Sequence, residues 1–534
     1  MAVSINLRDF PGEDFLTRIR AAMDVLKSEP DSTLTIPAGD YLLTSPLARQ
    51  AQDNVMHGRW GENPQPVMFN PKYVYERGFD FAGHDGSTVI ADGARITVDG
   101  FMEPVSIRDC KNVTFRGAVF DHLRRPYSRG VITDISKTDG GRTKVTVTLG
   151  EQYPPAPGMP LYLRAIVYSH SKARFDGNIP HDGPIVPDCE KKTLTFESGE
   201  DYPDSHLGDY YYTVHTYHSR PIILIENALN TRVEEVTIFS APGMGITGQH
   251  STDISVRRLR VIPAPGEHFS TNTDATHFAS CRGKLRIENC EFDGQGDDST
   301  NVHTYYHQIV RDSVSEDRRS CRTTVHTPDG THAQTLDFFE TGDTLRLLPA
   351  STLAGGETYR VTGCVSDFGG MFNTVTLDRP LPEDLDGLVF QDDDALPELE
   401  FTDCTARNHF ARSVLIKCHK ALVENCVFEN VMQSAVRVAA EAGWGEGIAS
   451  RSVTVRRCRV YNCGDAVDIR MDAADPSAPA HGSVLIEDNI VDCPHADHGI
   501  LVSSTEKAVI RGNTVITRKK PFVIGPGVKR WLSE

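Results

Sequence analysis

The stretch KLRIENCEFDGQGDDSTNVH, residues 284–303, sets the reading of the whole chain. Its first half alternates apolar and polar side chains (Leu285, Ile287, then Phe292), as a strand with one buried face must. The pattern apolar-x-apolar-x-x-Cys/Asn-x-apolar returns in ELEFTDCTA (398–406), KALVENCVF (420–428), SVTVRRCRV (452–460), VLIEDNIVD (484–492) and AVIRGNTVI (508–516). DISVRRLRV (253–261) belongs to the set, with Leu259 where the others carry Cys or Asn. Aligned on Leu259, Cys290, Cys404, Cys426, Cys458, Asn489 and Asn513, the spacings are 31, 114, 22, 32, 31 and 24 residues. No single repeat can bury its own apolar face, so the repeats must stack and share a core.

The expected fold is therefore all-β, a right-handed parallel β-helix, the hand following from the near-universal hand of parallel crossovers. The recurring Cys and Asn read as inward ladder positions, Cys as a small hydrophobe and Asn as a corner hydrogen-bonder. Twelve cysteines would also suit a disulfide framework, but none sits in a C-x-x-C pair and their register favours stacking. At the front, Asp14 caps a helix with Phe15, Ile19, Ala22 and Leu26 on one face, placed to cover the first coil.

Two regions break the rhythm. Residues 130–218 (VITDIS, TKVTVTLG, PLYLRAIVY) and 304–396 (DTLRLLPAS, ETYRVTGCVS, NTVTLDRPL) read as inserted antiparallel, barrel-like β modules. The organisation expected is a cap with first coils over 1–129, a module over 130–218, central coils over 219–303, a second module over 304–396 and final coils over 397–534.

Charge narrows the partners. With 55 Lys and Arg against 73 Asp and Glu, the formal net charge is -18, which disfavours nucleic acid and anionic membranes. No apolar stretch is long enough for a membrane span. The opening MAVSINLRDFPGEDF has no basic segment before an apolar run, so no secretory signal is read and a cytoplasmic location is favoured. A homo-oligomer stays open.

The triple GMGITG of Gly243, Gly245 and Gly248 matches a nucleotide-binding fingerprint, but it runs into another strand and reads as a coil turn. The chemistry lies in 270–303. Asp274 precedes Asp297 by 23 residues and Asp298 by 24, which is one coil. Residues one coil apart share a lateral position on strands ~4.8 Å apart, so three carboxylates converge. Such crowding raises at least one pKa, the condition a general acid needs, and suits glycoside hydrolysis without metal or cofactor. The blander readings are a surface turn or a calcium site. Asn272, His277, Asn301 and His303 are substrate-binding candidates by their place beside the acids, although a His there equally fits a satisfied neighbour. Trp444, in a Gly-rich loop, offers a ring for stacking on a sugar, and Arg437 a donor for hydroxyls.

At these residues the chain resembles glycoside hydrolase family 110, exo-acting α-galactosidases that remove terminal α-1,3-linked galactose. The resemblance runs through SAPGMGITGQHSTDISV, NTDATHF, GKLRIENCEF and GQGDDSTNVH, and more loosely through IPAGDY, FDHLRRPY and WGEG. It implies a glycan with terminal α-galactose as partner, Asp297 as general acid, and Asp274 and Asp298 activating water in an inverting mechanism. Members of that family are often exported. Polygalacturonases of family 28 share the N-T-D and G-D-D segments, met here by Asn272-Thr273-Asp274 and Gly296-Asp297-Asp298. Their Gly-His-Gly and Arg-Ile-Lys segments have no counterpart here, which makes them the second enzyme reading. A non-catalytic β-helical glycan-binding or adhesin module and a calcium-dependent lyase are the remaining alternatives.

Overall fold

Three parallel ladders wind around one apolar core. The computed structural model describes residues 3–68, 73–161, 164–178, 182–199, 204–325, 337–367 and 372–533. The first ladder pairs Leu285 with Leu399, Ala421, Val453, Val484 and Ala508 in turn. The second pairs Phe292 with Ala406, Phe428, Val460, Val491 and Val515. The third runs Thr276, Thr300, Val414, Val436, Val467 and Ile500. This is the parallel β-helix that the repeat implies. Each coil sends its alternate apolar residues inward, and stacked rings such as Phe292, Phe401 and Phe428 line up along the axis at 6.0 and 6.5 Å.

The aligned Cys and Asn occupy the corner between the first two ladders. Cys290, Cys404, Cys426, Cys458 and Asn489 are buried there. The backbone N–H of Cys290 donates to Cys404 Sγ (3.5 Å), and that of Cys458 donates to Asn489 Oδ1 (2.9 Å). Each side chain thus receives a corner N–H that the coil leaves unpaired. All twelve cysteines are free thiols. Asn513, expected inside with the rest, is only half-buried because it lies near the end of the stack; its amide still donates to Ile486 O (2.9 Å).

The helix Phe15–Ser28 starts as read, with Asp14 accepting from Thr17 N (2.7 Å) and Phe15, Ile19, Ala22 and Leu26 buried. A second helix, Pro46–Met56, follows a Ser45 cap with proline in its first turn, a start signal present in the sequence but not read above.

The interruptions are antiparallel. Between Tyr127 and Val214 seven strands pair into one sheet over a separate apolar core. An aromatic cluster of Tyr127, Tyr153, Phe175, Tyr212 and Phe269 fastens that sheet to the coil preceding Asp274, and Tyr127 OH donates to Phe269 O (3.1 Å). The second interruption closes into a six-stranded barrel. The long strand Thr300–Val310 leaves the third ladder, pairs with Ser320–Thr324, and the ring returns through Phe372–Leu377, Glu357–Asp367, Thr344–Pro349 and Leu388–Asp392. No helix among the described residues is long and apolar enough to cross a membrane.

Candidate active site

Two positions before each strand of the third ladder the chain turns a corner, and the residues there stack. Asp274 precedes Thr276 and Asp298 precedes Thr300, which pair in register. The glycines beside them permit the tight approach. A Cβ on Gly245 would meet Ala275 O at 2.6 Å, and one on Gly296 would meet Asn272 O at 2.3 Å. One carboxylate oxygen from each of Asp274, Asp297 and Asp298 lies within 4.8 Å of the others.

Five of the six oxygens are already taken. Asp274 Oδ1 accepts the Asp298 N–H (3.1 Å), and Oδ2 faces His277 Nδ1 (2.7 Å). Both Asp298 oxygens accept from Arg412, Oδ1 from its backbone N–H (2.9 Å) and Oδ2 from its guanidinium (3.0 Å). Asp297 Oδ2 accepts from Arg164 (3.0 Å) and from the Tyr217 hydroxyl (2.6 Å). Asp297 Oδ1 alone has no protein partner among the described residues. It opens on a cavity of about 220 Å³, also lined by Asn301, Tyr305, Phe410, Gln433, Glu441, Trp444 and Glu446.

Charge separates the three acids. Burial pushes the Asp274 carboxyl up, only partly countered by His277. Burial lifts Asp298 well above the ordinary range, with Arg412 opposing and its two acidic neighbours adding to the rise. At Asp297 the burial effect is outweighed by the positive charges of Arg164 and Arg412 and by the Tyr217 hydroxyl, which hold it low. A proton in the cluster therefore favours Asp298 and Asp274 over Asp297. A short step away, buried Lys417 donates to Glu446 (2.6 Å) and pairs with Glu441 (2.8 Å), fixing the wall opposite the acids.

The structure gathers most of the residues read from sequence, but not all. His277 and Asn301 line the cavity, and Trp444 stands at it with 57% of its surface exposed. His303 lies fully buried behind His277, its Nε2 2.8 Å from that of His277, so it is placed to orient rather than to touch a ligand. Asn272 is buried too. Its amide donates to Thr216 O (2.7 Å) and Pro126 O (3.2 Å), stitching the first inserted sheet to the coil instead of facing the cavity. Arg437 is not brought to the acids. It pairs with Asp472 (2.6 Å) in a neighbouring cavity two coils on. Sequence reasoning missed Arg164, Tyr217, Arg412, Lys417 and Glu446. Arg412 was findable, since it sits two residues before the strand Val414–Ile416, the position that Asp274 and Asp298 hold on their coils. Arg164 and Tyr217 arrive on the first insertion, whose strand order the sequence does not disclose.

Fold and site together define a parallel β-helix protein with three clustered carboxylates lining a pocket. No family model matches the chain. Among curated proteins it is similar to α-1,3-galactosidase A of Akkermansia muciniphila, 25% identical over 423 residues, covering 74% of this chain and 68% of that protein. It is also similar to α-1,3-galactosidase B of Bacteroides thetaiotaomicron, 24% identical with 88% and 78% covered. α-1,3-Galactosidase A of Bacteroides fragilis is likewise 24% identical, with 96% and 86% covered. The chain is a distant relative of these galactosidases, in keeping with the resemblance to glycoside hydrolase family 110. Solved structures that it matches include the family 28 exopolygalacturonase of Yersinia enterocolitica (TM-score 0.35, 10% identity, 100% of this chain and 78% of that one). The tailspike of E. coli bacteriophage HK620 with a pentasaccharide gives a TM-score of 0.41, 12% identity and 99% and 65% coverage.

Proposed function

We propose that this protein is an exo-acting glycoside hydrolase that removes terminal α-1,3-linked galactose from glycans through carboxylate chemistry with inversion. The observation that carries the reading is the single unpartnered oxygen of the three aspartates, Asp297 Oδ1, at the cavity, while the other five are held by the protein. A group that must hand a proton to the glycosidic oxygen needs a free oxygen within reach of it. Asp297 is accordingly the general acid, as the resemblance implies, with Asp274 and Asp298 as the carboxylates that activate water. His277, Asn301 and Trp444 contact the terminal sugar.

One observation favours a second assignment of the same reaction. Arg164 and Arg412 hold Asp297 low while Asp298 is pushed up, which would make Asp298 the acid and Asp297 the base. Separations of ~6.5–9.5 Å between carboxyl groups mark inversion and ~5–5.5 Å retention. One oxygen from each of the three acids lies within 4.8 Å of the others, short of the inverting range. Inversion therefore rests on the resemblance, and product stereochemistry is the deciding measurement.

Incubation with α-1,3-galactosyl disaccharides, followed by early proton NMR, is expected to show β-galactose appearing first. Initial α-galactose would mean retention, release of galacturonate from a pectic substrate would favour the polygalacturonase reading, and no release from any α-galactoside would leave a binding module.

A further inference from the structure

The corner column that carries the acids does not stop at them. Register continues it from Asp274 and Asp298 through Arg412 and Ser434 to Asp465 and His498, each two residues before its ladder pairing or in direct register. From Asp298 to His498 is four coils, about 19 Å at ~4.8 Å per step. Along the far half lies a second cavity of about 600 Å³. Gln433 lines both cavities, so they adjoin.

The far cavity has the chemistry of a neutral-sugar groove. Three of its four arginines are spent on neighbouring acids, Arg437 on Asp472, Arg470 on Asp468 and Arg518 on Asp497, and the fourth, Arg174, holds the amide oxygen of Asn462. An anionic polymer would find no unpaired cation among these three. Asp465 and His498, at the groove floor, make no side-chain hydrogen bond or ion pair among the described residues. They remain open to hydroxyls. The outer wall comes from the first insertion, where Arg174 donates to Asn462 Oδ1 across the groove (3.0 Å).

We propose, resting on the galactosidase reading, that this groove binds the leaving-group side of the substrate, as a run of neutral sugar residues extending from the scissile bond past Gln433 toward His498. A terminal galactose fills the small pocket, and this groove adjoins it through Gln433 along the corner column. Binding energy from sugars that do not react is then available to hold the reacting one in place. The insertion's Arg174 wall would make chain length, rather than the terminal sugar alone, a determinant of specificity.

The test compares an α-1,3-galactosyl disaccharide with a tetrasaccharide of neutral hexoses bearing the same terminus. Wild-type kcat/KM is expected to be at least tenfold higher for the tetrasaccharide. Asp465→Asn with His498→Ala, and separately Arg174→Ala, should remove that advantage through KM and leave the disaccharide value within twofold. Unchanged thermal unfolding midpoints would certify the variants as folded. Equal kcat/KM for both lengths in the wild type, or an equal loss on both substrates in the variants, overturns the proposal. Failure to cleave either substrate would sink the galactosidase reading instead. In that case calorimetric titration with the galactose-free trisaccharide decides the groove: binding lost in the variants supports it, and binding unaltered by them refutes it.

Discussion

His277 and His303 meet nitrogen to nitrogen, Nε2 to Nε2 at 2.8 Å, so one of them must donate and the other accept. His303 Nδ1 lies 2.9 Å from Thr304 O, and a carbonyl only accepts, so that nitrogen carries hydrogen. Burial pushes His303 down to about 3, which leaves it a single proton at neutral pH. His277 is therefore the donor, and one further proton is shared between its Nδ1 and Asp274 Oδ2. Arg164, Arg412 and that proton offset the charges of the three aspartates, while Lys417 faces Glu441 and Glu446 in the same pocket.

The first prediction follows from this pair. His277 favours the Asp274 anion, so His277→Phe should raise the Asp274 carboxyl further. If Asp274 must be ionised to activate water, the acid limb of the kcat/KM profile moves to higher pH and turnover falls about 10²-fold or more. A profile with its acid limb unmoved would remove Asp274 from the base role.

Asp274→Asn, Asp297→Asn and Asp298→Asn should each fold normally and lose about 10²- to 10⁴-fold in turnover on the disaccharide. A 4-nitrophenyl leaving group needs little protonation. The variant that keeps most activity on 4-nitrophenyl α-galactoside identifies the acid; Asp297→Asn is the one expected, and Asp298→Asn in its place would install the second assignment.

Exhaustive chelation should leave activity intact, because the acid oxygens are engaged by Arg164, Tyr217, Arg412 and His277. Activity lost to a chelator and restored by calcium would recast the three acids as a cation site.

Thiol titration of the native protein should find Cys189, the exposed cysteine, reacting at once and Cys364 more slowly, with the ten buried thiols appearing only on unfolding. Cys426→Asp should destabilise by several kcal/mol, since it buries an unpaired charge in the corner stack. Fewer than twelve reactive thiols after unfolding without reductant would restore the disulfide reading.

Acid should loosen the fold before it denatures carboxylate pairs. His481 accepts the Ser450 N–H at Nδ1 (3.1 Å) and donates from Nε2 to Arg470 O (2.8 Å), a neutral imidazole by geometry. Burial pushes it, and His409, down to about 4. Unfolded histidine titrates near ~6.5, so the unfolded chain takes up protons first, and stability is lost as pH falls from ~6.5 toward 4, of order 3 kcal/mol per site. Unfolding midpoints measured across that window should drop, and His481→Gln should shallow the slope. A midpoint flat between these pH values contradicts the assignment.

What could be read in the sequence was whatever repeats. The Cys290–Cys404–Cys426–Cys458 register gave the coil, and the 24-residue step from Asp274 to Asp298 put two acids on one column. Neither requires knowledge of the insertions. The partners that set the acids' protonation were hidden for a topological reason. Arg164 and Tyr217 ride on an antiparallel sheet whose pairing order depends on long-range contacts, with no periodic signal to betray it. Arg437 failed in the opposite way: it falls among the later coils, but periodicity alone does not say how far along the axis a pocket extends.

Asp298 and Arg412 touch at 3.0 Å across 114 residues of chain, and the whole barrel is threaded between them. A chain synthesised from its N-terminus has all three acids in place before the arginine that quiets two of them exists. Until the barrel closes and delivers the next coil, the front half is a stack ending in mutual repulsion. The charge of the centre and the order of synthesis are thereby tied together: no amino-terminal fragment ending ahead of Arg412 contains the guanidinium that Asp298 needs.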